Sequence, residues 1–323
     1  MQTYTTAPEL TPSYLDTVWT TLPAHIRPTL LLPAPQLSER LGCTVTIASE
    51  TFQFTGSFKF RAAYNLLSSI PHSDIVAASS GNFGQAVAYA SKLLGKRCTV
   101  VMPETSAQVK IAAIRAYGGN VELIDVRKTS RQEGVTSYLK THPEAFSAQA
   151  YDDYRVVAGN STLGKEIFAY STFDSVIVPV GGGGLSSGIV LARDHVHADT
   201  EIIGAEPLLG NDAARSLRSG QLVPNEQEPA TIADGARTIS LGQLNWEILS
   251  KGLATIIEAP DPLIIQALRT YFIENNLKVE PTGALSLAAL LAHPERFKGR
   301  RVCCVVSGGN VDPAVYAAAI TQE

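Results

Sequence analysis

Three features of the sequence predict an α/β fold. From about residue 44 onward, short β-branched runs alternate with helical stretches, the pattern of parallel strands joined by right-handed crossovers. Charged residues make up 17% of the chain and hydrophobic ones 45%, as expected where helices cover both faces of a sheet. A chain of 323 residues buries about three-quarters of the surface its unfolded form exposes, and is near the length at which one core divides. Two α/β lobes with a cleft between them are therefore predicted, with ligands bound beyond the carboxyl ends of the strands.

The elements follow in order. Ile75–Ala78 reads as a strand, Gly84–Leu94 as a helix, Cys98–Met102 as a strand and Ala107–Tyr117 as an amphipathic helix. Asn120–Ile124 is a third strand, and Arg131–Lys140 is polar enough for a surface helix. The series restarts with a strand at Ser175–Val178, a helix at Leu185–Asp194 and a strand at Glu201–Ala205. Leu253–Ile257 and Arg301–Val306 are two more strands, with helices at Leu263–Glu274 and Ala284–Leu291. Pro143–Tyr154 and the Pro/Gly-rich Pro224–Gly235 read as irregular.

Charge and composition narrow the function. With a formal net charge of −4 and a pI near 5.9, and no long Lys/Arg run, nucleic acid is not expected as a partner. No run reaches the 18 or so apolar residues of a membrane span, and Met1–Thr20 lacks a basic segment followed by an apolar one, so no secretory signal is read. Four cysteines are too few for a disulfide framework. Cys303 and Cys304 adjoin in a strand, whose alternating faces would point the thiols apart as small buried apolar groups. The expectation is a cytoplasmic enzyme acting on a small molecule, with no membrane partner.

Three glycine-rich turns follow strands. In Val-Pro-Val-Gly-Gly-Gly-Gly-Leu-Ser-Ser (178–187), Gly181, Gly182, Gly183 and Gly184 leave a backbone with no side chain to block an anion. The next helix would point its free N–H groups at it, a phosphate cradle. The third glycine of GxGxxG is missing, since Ser186 and Ser187 stand there. Glu206 ends the next strand roughly where a ribose-binding acid would sit, so a dinucleotide-dependent oxidoreductase or a nucleotide-binding module stays an alternative. Ser79, Ser80, Gly81 and Asn82 open the helix that carries Phe83. They can cap it or hold a carboxylate. The third turn sets Ser307 at a strand tip. Lys59 lies between Phe58 and Phe60, and desolvation lowers an ammonium pKa toward the neutral amine that a Schiff base requires. A lysine, a phosphate cradle and a strand-tip hydroxyl together describe a pyridoxal phosphate site.

On these segments residues 50–312 resemble the fold-type II pyridoxal-phosphate enzymes, in the serine/threonine dehydratase and serine racemase group. The matching pieces are Gly-Ser-Phe-Lys-Phe-Arg (56–61), Ser-Ser-Gly-Asn (79–82), Gly-Gly-Gly-Gly-Leu (181–185), Gly-Ala-Glu-Pro (204–207), Asp234-Gly235, Val-Glu-Pro-Thr-Gly-Ala (279–284) and Ser-Gly-Gly-Asn (307–310). The resemblance implies a two-domain, tryptophan synthase β-like fold with a small domain at 52–145 inside a large one of 1–51 plus 146–323, and a homodimer. It makes Lys59 the Schiff-base lysine, beside Phe58. Asn82 would bond the cofactor's ring hydroxyl, Gly181 to Leu185 its phosphate, and Ser307 its pyridine nitrogen, with Gly235 also at the cofactor. Ser79 to Phe83 would receive the substrate, and Ser80 would be the acid/base opposite Lys59.

The implied activity is β-elimination of a 3-hydroxy amino acid, such as threonine or serine, to a 2-oxo acid and ammonia. A neutral Ser307 at the ring nitrogen gives a weaker electron sink and favours prompt loss of hydroxide. A serine racemase-type amino-acid racemase is the alternative within the group. Phe83 lies beside the carboxylate-binding turn and a racemase-type arginine that reaches the substrate would fall near Tyr138, so an uncharged β-substituent is expected rather than 3-hydroxyaspartate. Other departures are Arg61-Ala62-Ala63 for Arg-Gly-Ala, and Ala158-Gly-Asn-Ser-Thr162 for Ala-Gly-Gln-Gly-Thr. The run Gly159-Asn-Ser-Thr-Leu-Gly-Lys165 imitates a P-loop, but Glu166 replaces the Mg²⁺-binding Ser/Thr, and it reads as a helix start. His195 and His197 lack a third ligand at zinc spacing. Glu206, the Gly210 carbonyl and Asp212 offer oxygen ligands for Mg²⁺ or Ca²⁺, as in racemase-like relatives. The competing reading has Glu206 capping a strand end and Asp212 capping a helix at 213–219.

Overall fold

The computed structural model describes residues 4–79, 81–106 and 108–321. Two sheets organise it. The larger has six strands, β1 (Leu30–Pro33), β2 (Thr44–Ser49), β7 (Ser175–Pro179), β8 (Glu201–Pro207), β9 (Thr255–Ala259) and β10 (Arg301–Val306), in the order β1-β2-β10-β7-β8-β9. Only β1 is antiparallel, at the edge against β2. The smaller sheet is wholly parallel and contains β3 (Asp74–Ala78), β4 (Arg97–Pro103), β5 (Asn120–Ile124) and β6 (Phe146–Ser147), in the order β5-β4-β3-β6.

Helices link the strands. After α1 (Pro12–Thr21) and α2 (Pro35–Leu41), α3 (Lys59–Ser68) leads to β3 and α4 (Asn82–Leu93) to β4. Then α5 (Gln108–Ala116) and α6 (Arg131–Thr141) complete the smaller lobe, and α7 (Tyr154–Tyr170) returns the chain to the large sheet. There α8 (Gly184–His195), α9 (Asp212–Ser219), α10 (Gln243–Gly252), α11 (Asp261–Asn275), α12 (Leu285–Ala292) and α13 (Pro313–Thr321) follow. Every strand and helix read from the sequence is present within a few residues of its expected ends.

The large sheet is covered on both faces. One core gathers Val176, Val178, Ile189, Leu163 and Cys303, and the other gathers Ile177, Ile203, Leu287, Leu268 and Cys304. The adjacent cysteines thus enter different cores, as strand alternation requires, and all four thiols are free and buried. Among the described residues, no helix is long and apolar enough to cross a membrane.

One element differs from expectation. The run read as a helix start at Gly159 lies in the middle of α7, which begins five residues earlier where the Asp153 carboxylate accepts the Arg155 N–H. Gly159 and Gly164 are contact points instead of turn residues. A Cβ on Gly159 would lie 2.7 Å from the Arg61 carbonyl, and one on Gly164 would lie 2.5 Å from Ala192 Cβ. The missing side chains let α7 pack against α3 and α8 at once.

Candidate active site

The strand tips converge on one cleft. It lies beyond the carboxyl ends of β3, β7 and β10, the position that parallel sheets leave open for ligands, and has a volume of about 750 Å³. Its walls include Phe58, Lys59, Ser79, Gly81, Asn82, Phe83, Gly181 to Leu185, Gly235 and Ser307. These are the cofactor- and substrate-binding residues expected from the resemblance, Ser80 excepted, which lies outside the described residues.

Lys59 is the first residue of α3, and its Nζ donates to the Ala150 carbonyl at 2.9 Å. Burial pulls its pKa down to about 8, with the nearby Glu280 carboxylate working in the opposite direction. Near pH 7 the neutral amine is therefore roughly a tenth of the population, against well under ~0.1% for an ordinary lysine. The flanking aromatics are not quite those expected. Phe58 lies 5.0 Å and Phe83 5.7 Å from Nζ, ring centroid to nitrogen. Phe60 instead turns away into the core against Phe54 and Tyr89, because consecutive helical residues point about 100° apart.

The glycine loop is built to present amides. The Gly182 carbonyl accepts from Gly242 N–H (3.1 Å) and Asn245 Nδ2 (2.9 Å). The Gly183 carbonyl accepts from Ser186 Oγ (3.0 Å) and Ser187 N–H (2.8 Å), and the Gly184 carbonyl from Asn160 Nδ2 (3.0 Å). In a planar trans peptide the C=O and the following N–H point in opposite directions. Three carbonyls tied down on one side therefore turn the amides of Gly183, Gly184 and Leu185 to the other. Among the described residues, no protein acceptor takes the N–H of any residue from Gly181 to Leu185. An amide nest at the start of α8 is a site for a phosphate dianion. Gly183 needs its missing side chain twice, for φ of +93° and because a Cβ would lie 2.7 Å from Asn245 Cβ.

A second polar group awaits a partner. Ser307, the residue after β10, is 2% exposed, and its hydroxyl has no hydrogen-bond partner among the described residues. Its carbonyl accepts the Phe58 N–H at 3.0 Å, which ties this strand tip to the start of α3. Lining the cleft with its hydroxyl unengaged, Ser307 is placed to serve a ligand acceptor such as a ring nitrogen. A phosphate nest, an orphan hydroxyl and a buried amine in one cleft are a donor set that fits pyridoxal phosphate.

Asn82 and Ser79 stand at the start of α4. The Ser79 hydroxyl accepts from Gly84 N–H at 3.0 Å, so the capping role is present. The Asn82 amide donates to both oxygens of Glu280, at 2.9 and 3.0 Å, and its carbonyl accepts from Asn310 at 2.8 Å. Glu280 is buried, which with Asp234 nearby pushes its carboxyl up to about 8, while the Asn82 amide draws it down. Glu280 lies inside a matching motif, but nothing local in the sequence marks it as a wall of the site.

Several residues do not sit where the sequence reading puts them. Tyr138 is absent from the cleft. Its hydroxyl accepts from Thr99 Oγ1 at 3.2 Å and faces Asp74 from the small sheet, and its ring stacks on His142. The cations at the cleft are Lys59, Lys110, Arg131, Arg237 and Lys278. Lys110 pairs with Asp234 at 2.9 Å and Arg131 with Glu228 at 3.3 Å. Tyr151 also lines the cleft, its ring pressed on Gly182.

Glu206 is unavailable to a ribose. It is 1% exposed, and its carboxylate accepts the N–H groups of Ala213 and Ala214 at 3.0 and 2.9 Å. Glu206, rather than Asp212, thus caps α9. Asp212 accepts from Asn225 Nδ2 at 2.9 Å and Leu241 N–H at 3.1 Å. Among the described residues neither carboxylate is in an ion pair, and no group of three or more His, Cys, Asp or Glu side chains could hold a metal. The oxygen donors of Glu206, Gly210 and Asp212 lie outside the cleft walls.

Known proteins carry the same architecture. The family model of pyridoxal-phosphate dependent enzymes matches residues 22–308. An L-threo-3-hydroxyaspartate ammonia-lyase of a Pseudomonas species is 38% identical over 87% of this chain and 89% of its own. A serine racemase of Schizosaccharomyces pombe is 36% identical over 91% and 92%. Among solved structures, a T.th. threonine deaminase superposes with a TM-score of 0.88 at 36% identity, covering 92% of this chain and 97% of the other. The cleft's donor set and the family match agree, and the chain belongs to the pyridoxal-phosphate dependent enzymes.

Proposed function

We propose that the protein eliminates the β-hydroxyl of a 3-hydroxy amino acid, releasing a 2-oxo acid and ammonia, and that its preferred substrate carries a second carboxylate. The observation that carries the reading is the convergence of Lys59, the amide nest and the orphan Ser307 hydroxyl in one cleft. When bound, pyridoxal phosphate supplies the electron sink that makes the α-proton acidic. Lys59 would hold the cofactor and, as the neutral amine, would take the α-proton. In the turn at Ser79, Gly81 and Asn82, the Ser79 hydroxyl keeps a proton to donate to the substrate's α-carboxylate, while the Gly81 N–H and the Asn82 amide are engaged by Ser79 Oγ and Glu280. Phe58 and Phe83 keep water from the amine. Ser307, neutral, would give the ring nitrogen no formal charge partner, a weaker electron sink that favours prompt loss of the β-hydroxyl.

The expectation of an uncharged β-substituent rests on Phe83 and Tyr138; Phe83 lines the cleft, whereas Tyr138 does not reach it. Cations do, through Arg237 and through Lys110 and Arg131, whose present partners are the cleft carboxylates of Asp234 and Glu228. The Pseudomonas relative is likewise named for L-threo-3-hydroxyaspartate. With 2-oxo acid release as the assay, L-threo-3-hydroxyaspartate is expected to exceed threonine and serine by ~10-fold or more in kcat/KM, the worth of one charge-assisted hydrogen bond. Faster turnover of threonine would overturn the substrate class. D-serine formed in excess of pyruvate from L-serine would instead favour racemisation, the activity named for the S. pombe relative.

A structural cation is the second part of the reading. Glu206 and Asp212 are both 1% exposed and, among the described residues, in no ion pair, and oxygen-only donors with two negative charges suit Mg²⁺ or Ca²⁺. EDTA is expected to lower the melting temperature and the rate together, with Mg²⁺ restoring both. An unchanged melting curve and no metal by elemental analysis would leave Glu206 as a helix cap alone. A homodimer of the family type is proposed with it, to be checked by sedimentation velocity.

A further inference from the structure

The start of α10 is joined to both halves of the cofactor site through one buried side chain. Asn245, in the first turn of α10, is 0% exposed. Its Nδ2 donates to the Tyr151 carbonyl at 3.0 Å and to the Gly182 carbonyl at 2.9 Å, which uses both amide hydrogens. Its Oδ1 has no partner among the described residues. Around this fork the contacts repeat. Gly242 N–H donates to the same Gly182 carbonyl at 3.1 Å, and the Asp152 carboxylate accepts the N–H groups of Gln243 and Leu244 at 3.0 and 3.1 Å. Asp152 thereby caps a helix whose own N-cap, Gly242, has no side chain. Gly242 must be glycine, since a Cβ there would lie 2.2 Å from Asp152 Oδ1.

Each tie has a consequence at the site. Holding the Gly182 carbonyl toward α10 points the Gly183 N–H the opposite way, because the two belong to one planar peptide. Holding the Tyr151 carbonyl fixes the peptide next to Ala150, whose carbonyl accepts the Lys59 amine at 2.9 Å. The Tyr151 ring also rests on Gly182, where a Cβ would meet it at 2.4 Å. Asn245 is not among the cleft walls, yet its fork spans the loop that offers amides and the segment that receives the lysine.

We infer that Asn245 is a positioning residue that sets the phosphate nest and the Lys59 acceptor segment in one fixed relation. The test compares pyridoxal phosphate with pyridoxal, which forms the same bond to Lys59 but has no phosphate. In Asn245→Leu, similar in size but without donors, two buried carbonyls each lose a hydrogen bond. At ~1 kcal/mol each this corresponds to a roughly 30-fold weaker Kd for pyridoxal phosphate. The Kd for pyridoxal, followed by cofactor absorbance on the full-length apoprotein, is expected to change by less than ~3-fold. With saturating pyridoxal phosphate, kcat is expected to fall while KM holds. Equal loss of affinity for both compounds would mark a merely structural role, and no loss for either would remove the role altogether. Should Asn245→Leu fail to fold, Asp152→Asn weakens the same tie at the helix cap and should lower the phosphate preference in the same direction. An unchanged ratio of the two Kd values in that variant would overturn the proposal.

Discussion

Lys59→Ala is expected to yield a folded protein that retains no cofactor absorbance after dialysis and loses ~10⁴-fold or more in elimination rate. One side chain holds the cofactor and moves the α-proton, and either loss alone is worth orders of magnitude. The fold should survive. The amine is a desolvated cation whose pKa burial has already lowered to about 8, and its removal leaves only the Ala150 carbonyl without its donor. Lys59→Arg separates charge from nucleophilicity, since a guanidinium stays protonated in proteins and cannot serve as the neutral amine. It should be as inactive as alanine. The pH dependence has a definite sign. Glu280 is the charged group that acts on the amine, against the larger effect of burial, and a lowered pKa means the reactive neutral form grows as pH rises. Reconstitution of the apoprotein should therefore accelerate about tenfold per unit below pH 8 and level off above it. A yellow, active Lys59→Ala enzyme would overturn the assignment.

What can be read in the sequence is whatever local chemistry marks. Four successive glycines after a strand have little other use than close approach of backbone to an anion, and the nest of unpartnered amides is where they predict it. A lysine between two phenylalanines signals desolvation correctly, although the second ring is Phe83 rather than Phe60. The short edge strand β1 carries no signal, because four residues, Leu30–Pro33, give no alternation to read. Inferences about distance are the ones that fail. Aligning along the chain places Tyr138 at the substrate, but it sits on α6 with its hydroxyl bonded to Thr99 of the small sheet and its ring on His142. The glycines of α7 look like turn punctuation and are helix contacts. Asn245, Tyr151 and Glu280 act across long sequence separations, Glu280 meeting Asn82 over 198 positions, so no window along the chain contains both partners.

Arg61 ends the matching Gly-Ser-Phe-Lys-Phe-Arg segment, but nothing local in the sequence shows which carboxylates it bonds, and the expected cost of replacing it is large. It is 0% exposed, two residues into α3 from Lys59. Its Nε and Nη2 bond Glu50 at 2.8 and 3.0 Å, its Nη1 bonds Glu166 at 2.8 Å and Thr162 at 3.0 Å, and Nη2 also reaches Thr29 at 2.8 Å. Burial works against the charge, but the carboxylates of Glu50 and Glu166 more than offset it and keep the guanidinium protonated. Glu50, at 1% exposure, pairs with no other cation among the described residues. Arg61→Met keeps the volume but leaves that carboxylate buried and uncompensated, a change that costs ~3–5 kcal/mol. At about 2 °C per kcal/mol for a chain of this size, the melting temperature should fall by roughly 6–10 °C. The activity should fall as well, below the melting range, because the network fixes the turn of helix on which Lys59 sits. Adding Glu50→Gln removes the stranded charge, so the double variant should recover ~1–2 kcal/mol over Arg61→Met alone even though it carries one more substitution. That inversion distinguishes an uncompensated charge from a simple packing defect, which would make the double variant the less stable of the two. A melting temperature within about 2 °C of the parent for Arg61→Met, the shift of a single kcal/mol, would show that the network contributes little to holding the lysine's helix in place.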